Sequence, residues 1–375
     1  PIPKVQDCRT KAVTTDDFRG IAISPIVCKV FEHCILQRFG NLFESCNNQF
    51  GFKKGSGCSQ AIYTVRNIVD RFVNNCSTVN LCAIDMLKAY DKVNHNALYI
   101  LLMKRQIPNE LLAVLQNMIN NCCTCVRWKT ATSNPFKIDF GVRQGSVLSP
   151  FLFAIYINDV IKNLTLRQNM FIILYADDIL LLAPSVTELQ HMSRNCENVL
   201  QWLDMSINAK KSCCIRIGPR HDRICADITT CSGMVLPWVG QIRYLGVFIR
   251  NFKHFKCSFD HAKRSFYRSV NAVMSKVGRT ASEEVVLHLV NNKCLPILLY
   301  GLEVCPVNKS EQQSLDFIFV RFLMKLFFTS NINIIRECQF FFGIKLPSEI
   351  IIWSINQCIY LLHVEYKPVY LSITC

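Results

Sequence analysis

Long uninterrupted apolar runs are missing from this 375-residue chain. The two longest, around 171–183 and 294–306, are too short or carry Asp177, Asp178 or Glu303 inside them. A membrane span needs roughly 20 mainly apolar residues, so none is expected despite a positive mean hydropathy. A secretory leader is also missing: the chain opens Pro1-Ile2-Pro3-Lys4, without Met, which reads as an internal fragment. Without a leader the 21 Cys are expected to be reduced thiols in an intracellular protein, nuclear or cytoplasmic, packed mostly as small apolar residues. A zinc set is lacking too, because Cys122-Cys123-Thr124-Cys125 holds one C-x-x-C with no second pair or close His. Low-complexity runs, obvious repeats and long Pro/Gly/Ser linkers are absent. Acidic residues are few: 27 against 42 Lys and Arg, a net charge of +15 that favours polyanionic partners such as nucleic acid or anionic lipid.

What is present is a large globular chain, long enough for two or three domains. Residues 25–39, 59–73, 97–121 (broken near Pro108) and 150–163 read as helices, the last with Pro150 in its first turn. Residues 81–85 and 242–249 read as strands, and 126–140 as a hairpin around Ser133-Asn134-Pro135. Ser185 and Glu188 form a capping box for a helix with Leu189, Met192, Cys196, Val199 and Leu203 on one face. Phe259, Phe266, Val270, Val273 and Val277 stripe another helix, whose other face carries Lys263, Arg264, Arg268 and Lys276. Helices and strands without strict alternation predict an α+β fold.

The chemistry concentrates at Tyr175-Ala176-Asp177-Asp178. Two adjacent carboxylates sit between Phe171-Ile172-Ile173-Leu174 and Ile179-Leu180-Leu181-Leu182, two runs that read as buried strands of a hairpin. Like charges beside a core are unfavourable unless something positive offsets them, and hard oxygen ligands suit Mg2+. Asp85 ends a third apolar run, Leu81-Cys82-Ala83-Ile84. If that strand lies beside the hairpin, three carboxylates converge, as a two-metal phosphoryl-transfer site requires.

These segments resemble the motifs of reverse transcriptases, in family order over residues 17–250. Phe171–Asp178 resembles the metal-binding turn, Cys82–Val93 the first acidic motif, and Gly141-Val142-Arg143-Gln144-Gly145 through Pro150 the motif between them. Gln49-Phe50-Gly51-Phe52 with Gly55 and Ser59, preceded by Asp17–Ile21, is similar to the fingers segment of non-LTR (LINE-like) retrotransposon enzymes. Trp202-Leu203 with Asn208, Lys211 and Ser212 is similar to the lysine-bearing motif, and Tyr244-Leu245-Gly246 to the primer grip. Any one alone is weak; the ordered set is specific.

The resemblance implies a right hand with an antiparallel palm sheet: fingers, N-terminally truncated, in 1–80; palm with a fingers-palm insertion in 81–250; a helical thumb and C-terminal region in 251–375. It implies that Asp85, Asp177 and Asp178, with the Met86 carbonyl, bind two Mg2+ ions (or Mn2+). Tyr90 matches the gate against a 2′-hydroxyl; Arg143, Gln144 and Gly145 match the loop that contacts the incoming nucleotide; Arg19, or less well Lys4, would grip the triphosphate. Lys211 would protonate the leaving pyrophosphate, and Lys263, Arg264 and Arg268 would track duplex phosphates. Expected partners are an RNA template, a DNA primer and dNTPs. The separate endonuclease domain and terminal Cys/His knuckle usual in such proteins are not in these residues, so a truncated element copy or a partial gene model is expected. Alternatives are a group II intron maturase-like enzyme, an RNA-dependent RNA polymerase, or a non-catalytic nucleic-acid-binding remnant.

Overall fold

A computed structural model describes residues 2–3, 14–53, 55–162, 168–277 and 280–355. Lys4 lies outside the described residues. In chain order the first elements are β1 (Ile2–Pro3), β2 (Phe18–Arg19), α1 (Ile26–Phe39), α2 (Cys58–Asn74), β3 (Val79–Ile84), α3 (His95–Lys104) and α4 (Asn109–Asn120). Four two-residue strands follow, β4 (Cys123–Thr124), β5 (Arg127–Trp128), β6 (Ala131–Thr132) and β7 (Phe136–Lys137). Then come α5 (Ser149–Lys162), β8 (Phe171–Tyr175), β9 (Asp178–Ala183), α6 (Val186–Trp202), β10 (Cys213–Ile217), β11 (Ile228–Thr229) and β12 (Val235–Leu236). The chain continues through β13 (Gln241–Tyr244), β14 (Val247–Arg250), β15 (Cys257–Ser258) and α7 (Asp260–Val277). Next come α8 (Glu283–Leu289), α9 (Leu295–Leu299), α10 (Lys309–Leu326) and α11 (Ile332–Phe341), and residues 347–355 are helical as well. Helix and sheet are thus mixed, and no described helix is long and apolar enough to cross a membrane.

Two compact units interleave along the sequence: 1–56 with 82–213 and 227–237, and 57–81 with 214–226 and 238–375. In the first unit β8 and β9 pair antiparallel, from Phe171 opposite Leu182 to Tyr175 opposite Asp178. Their other neighbour is β3, which flanks β9. Nearly continuous apolar sequence on these strands means burial on both faces, and Ile172, Leu174, Leu180, Leu181 and Leu182 are all at most 2% exposed. Ser185 caps α6 as the sequence predicts: its Oγ accepts from the Glu188 N–H at 3.1 Å and donates to the Glu188 carboxylate at 2.8 Å. Leu189, Met192 and Cys196 are buried as expected, with Leu200 completing the stripe and Val199 only half-buried. Tyr156 of α5 is fully buried, and its hydroxyl donates to the Leu203 carbonyl at 2.8 Å.

In the second unit α2 buries Ile62, Val65 and Val69. Arg66 donates to the Val304 carbonyl at 3.0 Å, and Ser59 to Glu303 at 2.5 Å. Phe266 of α7 meets Phe319 of α10 at 6.3 Å, and Phe319 meets Phe322 at 5.8 Å, an aromatic core between helices. The predicted strand 242–249 is two strands, β13 and β14, with Tyr244 paired to Val247. Leu245 and Gly246, at φ +44° and +87°, form the two-residue turn between them. The predicted hairpin at 126–140 likewise turns earlier, at Lys129-Thr130 between β5 and β6. A second two-stranded ribbon, β4 with β7, lies behind it.

Candidate active site

The β8–β9 hairpin turns at Ala176 and Asp177, because Tyr175 and Asp178 are its last paired residues. Ala176 sits at φ +55°, a left-handed conformation that costs an L-residue about 1–2 kcal/mol. A second segment holds it there. Asn48 accepts from the Leu174 N–H and the Phe50 N–H donates to the Leu174 carbonyl, each at 2.9 Å. Fully buried Gln49 then accepts at Oε1 from the N–H groups of Ala176 (3.0 Å) and Gly51 (2.9 Å). A Cβ on Gly51 would stand 2.5 Å from the Ala176 nitrogen, so glycine is required for this approach. The Gln-Phe-Gly-Phe motif is therefore a clamp behind the Ala176-Asp177 turn. Gln49→Leu should orphan both N–H donors at about 1–3 kcal/mol each. A fall in urea midpoint at unchanged m, with extension activity falling too, checks this; an unchanged midpoint would show that the clamp is dispensable.

Asp85 directly follows β3. Its N–H donates to Ser212 Oγ at 3.0 Å, its carbonyl accepts from the Asn208 N–H at 2.8 Å, and Asn208 Nδ2 donates to its Oδ2 at 3.0 Å. These bonds lace the 208–212 segment to Asp85, and Lys211 of that segment lines the same cavity. Arg19, Asp85, Met86, Tyr90, Arg143, Gln144, Gly145, Asp177 and Lys211 all line one cavity of about 830 Å3. Burial raises the Asp177 pKa above the usual carboxylate range, and the Asp85 charge adds to this. Its own backbone N–H, Arg19 and Lys211 pull the other way. The Tyr90 hydroxyl is pushed up by burial and by the Asp177 charge.

Of the three carboxylates, Asp85 and Asp177 line this cavity together. Asp178 is the first residue of β9, exposed, and does not line the cavity. Among the described residues no group of three or more His, Cys, Asp or Glu side chains is close enough to hold a metal ion. Asp85 and Asp177 remain as a close pair of like charges with hard oxygen donors, a set that fits a divalent cation.

Tyr90 stacks on buried Phe153 of α5, with centroids 4.3 Å apart, and meets Phe52 edge-on at 6.5 Å. The 141–145 loop is zipped to the segment bearing Tyr90: the Val142 N–H donates to the Tyr90 carbonyl and the Gly141 N–H to the Val93 carbonyl, each at 2.8 Å. The Gln144 carbonyl accepts from the Ala22 N–H at 2.8 Å. Gly145, at φ +123°, leaves no room for a side chain, which would run into the Ala22 carbonyl oxygen. Its close approach is thus to protein backbone as much as to any ligand. Sequence reasoning missed Gln49 as a turn acceptor and overlooked Glu32.

In the second unit Tyr244 is buried, and the Tyr300 hydroxyl donates to the Leu245 carbonyl at 2.9 Å. A Cβ on Gly246 would stand 2.7 Å from the Tyr300 ring. Arg264 and Arg268 are exposed on α7. Lys263 departs from the expected basic face: half-buried at the edge of the apolar stripe, it donates to Ser314 of α10 at 2.7 Å.

Residues 2–249 match the family model described as reverse transcriptase (RNA-dependent DNA polymerase). The chain belongs to this family. It is 23% identical over 77% of its length to a probable RNA-directed DNA polymerase from transposon BS of Drosophila melanogaster. Identity is 25%, over 77%, to the RNA-directed DNA polymerase from mobile element jockey of Drosophila funebris. It is 23%, over 80%, to the Pol polyprotein from type-1 retrotransposable element R2 of Popillia japonica. These are proteins of non-LTR retrotransposons, and the chain spans only 34%, 33% and 43% of their respective lengths. Among solved structures, telomerase from Candida Tropicalis with a fragment of telomeric RNA aligns at TM-score 0.47 and 16% identity, over 90% of this chain and 55% of that one.

Proposed function

We propose that this chain is the RNA-directed DNA polymerase region of a non-LTR retrotransposon protein, extending a DNA 3′-hydroxyl on an RNA template with dNTPs. The observation that carries the reading is the pairing of Asp85 with Asp177 in a cavity shared with Arg19, Lys211, Arg143 and Tyr90. Two carboxylates in one cavity, the Asp85 charge opposing ionisation of Asp177, beside cations able to meet a triphosphate, suit metal-assisted phosphoryl transfer. The domains are read as fingers in 1–80, palm in 81–250 and helical thumb from 251. Asp85 and Asp177, helped by the Met86 carbonyl and Asp178, would hold two Mg2+ ions, or Mn2+. When bound, these supply charge stabilisation for the transferring phosphoryl group.

The chain's own groups do the rest. Arg19 and Arg143 bind the triphosphate, Gln144 and Gly145 present backbone to the nucleotide, and Tyr90 closes the space where a 2′-hydroxyl would sit. Lys211 delivers a proton to the leaving pyrophosphate oxygen. Tyr244-Leu245-Gly246 holds the primer strand. Primer extension on poly(rA)/oligo(dT) with Mg2+ tests the reading, and dTTP incorporation is the expected result. RNA binding without extension would overturn it in favour of a non-catalytic remnant. Preference for UTP would favour an RNA polymerase.

Arg264 and Arg268, exposed on α7, are read as phosphate contacts of the duplex. Replacing both by Ala should weaken binding of all duplex sequences alike and flatten the slope of log K against log salt by about 0.9 per lost contact, as for B-DNA. Lys263→Ala should instead lower the melting temperature, since its partner is Ser314. An unchanged salt slope in the Arg pair variant would make that face merely solvated.

A further inference from the structure

Glu32 lies on α1, a helix that buries only Glu32 and Ile35 and exposes Val27, Val30 and Phe31. The one acid on the helix is 1% exposed while apolar neighbours face water. A buried carboxylate is costly unless several donors meet it. Here they come from one loop. Oε2 accepts from Ser146 Oγ (2.9 Å), the Val147 N–H (2.6 Å) and the Leu148 N–H (3.3 Å). Ser146 Oγ in turn accepts from the Ser149 N–H at 3.3 Å, at the start of α5. Oε1 stands 3.6 Å from Arg143 Nη2.

That separation makes an ion pair rather than a hydrogen bond. The arrangement orients the guanidinium by charge while leaving its N–H donors available to an anion. Arg side chains carry about 2 kcal/mol of rotamer entropy, so a pre-set orientation favours binding of a second anion at the exposed edge. Arg143 is 25% exposed and lines the cavity. The same carboxylate pins the turn that leads into α5, and α5 carries Phe153, on which Tyr90 stacks. One buried acid therefore secures the loop's triphosphate-facing cation and sets the start of the helix behind the gate ring.

We propose that Glu32 is a positioning residue for nucleotide binding, acting through Arg143 and the 146–148 turn. The proposal rests on the reading that this cavity takes a dNTP. It predicts a split between KM and kcat. Glu32→Gln keeps an acceptor for the loop but removes the charge that orients Arg143; it should raise KM for dTTP about tenfold with kcat within about twofold. Because the effect passes through Arg143, it should not add to that of Arg143→Met, so the double variant should match Arg143→Met in KM.

The experiment is steady-state extension of oligo(dT) on poly(rA) by the full chain and these three variants, with melting temperatures alongside. A KM unchanged in Glu32→Gln, a fall in kcat alone that tracks a lower melting temperature, or fully additive KM effects would each overturn the positioning role while leaving the polymerase reading intact. Should Glu32→Gln fail to fold, Ser146→Ala removes one arm of the same network from the loop side; a KM rise supports the proposal and an unchanged KM overturns it. A folded parent chain that does not extend primer removes the polymerase reading and this inference with it.

Discussion

Asp177→Asn should abolish primer extension and, in the metal-free protein, raise the melting temperature. The two effects have one cause. Burial and the Asp85 charge raise the Asp177 pKa in the folded chain. A carboxyl whose folded pKa lies above its unfolded value binds more protons when folded. Stability therefore falls as pH rises through that window, and the penalty is complete above the folded pKa. Asparagine removes the charge and the penalty with nearly the same shape, so the gain should be clear at pH 7 and vanish below the unfolded carboxyl range. Loss of a ligand oxygen that neutralises several kcal/mol of developing charge corresponds to about a thousandfold or more in rate. Melting curves in EDTA at pH 4 and pH 7, with extension assays in Mg2+, decide the matter. A variant that melts lower at pH 7 would mean that Asp177 is stabilised by Arg19 and Lys211 more than it is opposed by burial and Asp85.

The parts of the site legible in the sequence are those with local signals. Apolar runs ending on acids predict β3 with Asp85 and the β8–β9 hairpin, because a strand buried on both faces leaves a continuous apolar stretch. The Ser185/Glu188 box marks the start of α6. What was not legible depends on distant partners. The positive φ of Ala176 in the hairpin turn has no local signal, since it is held there by Gln49, 127 positions away. Glu32 looks like one polar residue on an ordinary helix until Ser146 and Val147, 114 and 115 positions on, reach it. Between 241 and 250 an alternating run hides a turn, because Leu245 has no propensity for φ +44° and only Gly246 hints at it. Lys263 falls beside the apolar stripe of α7, where a tertiary contact rather than periodicity decides its direction.

Tyr90→Ala should admit ribonucleotides. The ring is fixed from two sides, stacked on Phe153 at 4.3 Å and met edge-on by Phe52 at 6.5 Å, so it cannot swing away from a bulkier sugar without losing aromatic contact. It lines the cavity with Asp85 and Asp177, where the proposed reading puts the sugar of a bound nucleotide. Pocket shape alone discriminates small groups by roughly 10–200-fold, and loss of the ring should surrender a factor in that range. Truncating a half-buried aromatic also destabilises, by less than the ~3–5 kcal/mol of a fully buried one. The informative quantity is therefore the ratio of kcat/KM for dTTP to that for UTP measured on the same preparation, in which any loss of folded enzyme cancels. Tyr90→Phe keeps the ring and should keep the ratio, since the gate is steric and the hydroxyl does not titrate in the working range. A Tyr90→Ala enzyme with the parent's ratio would make this ring a packing residue of the α5 surface and leave the 2′-hydroxyl to be read by another group in the cavity.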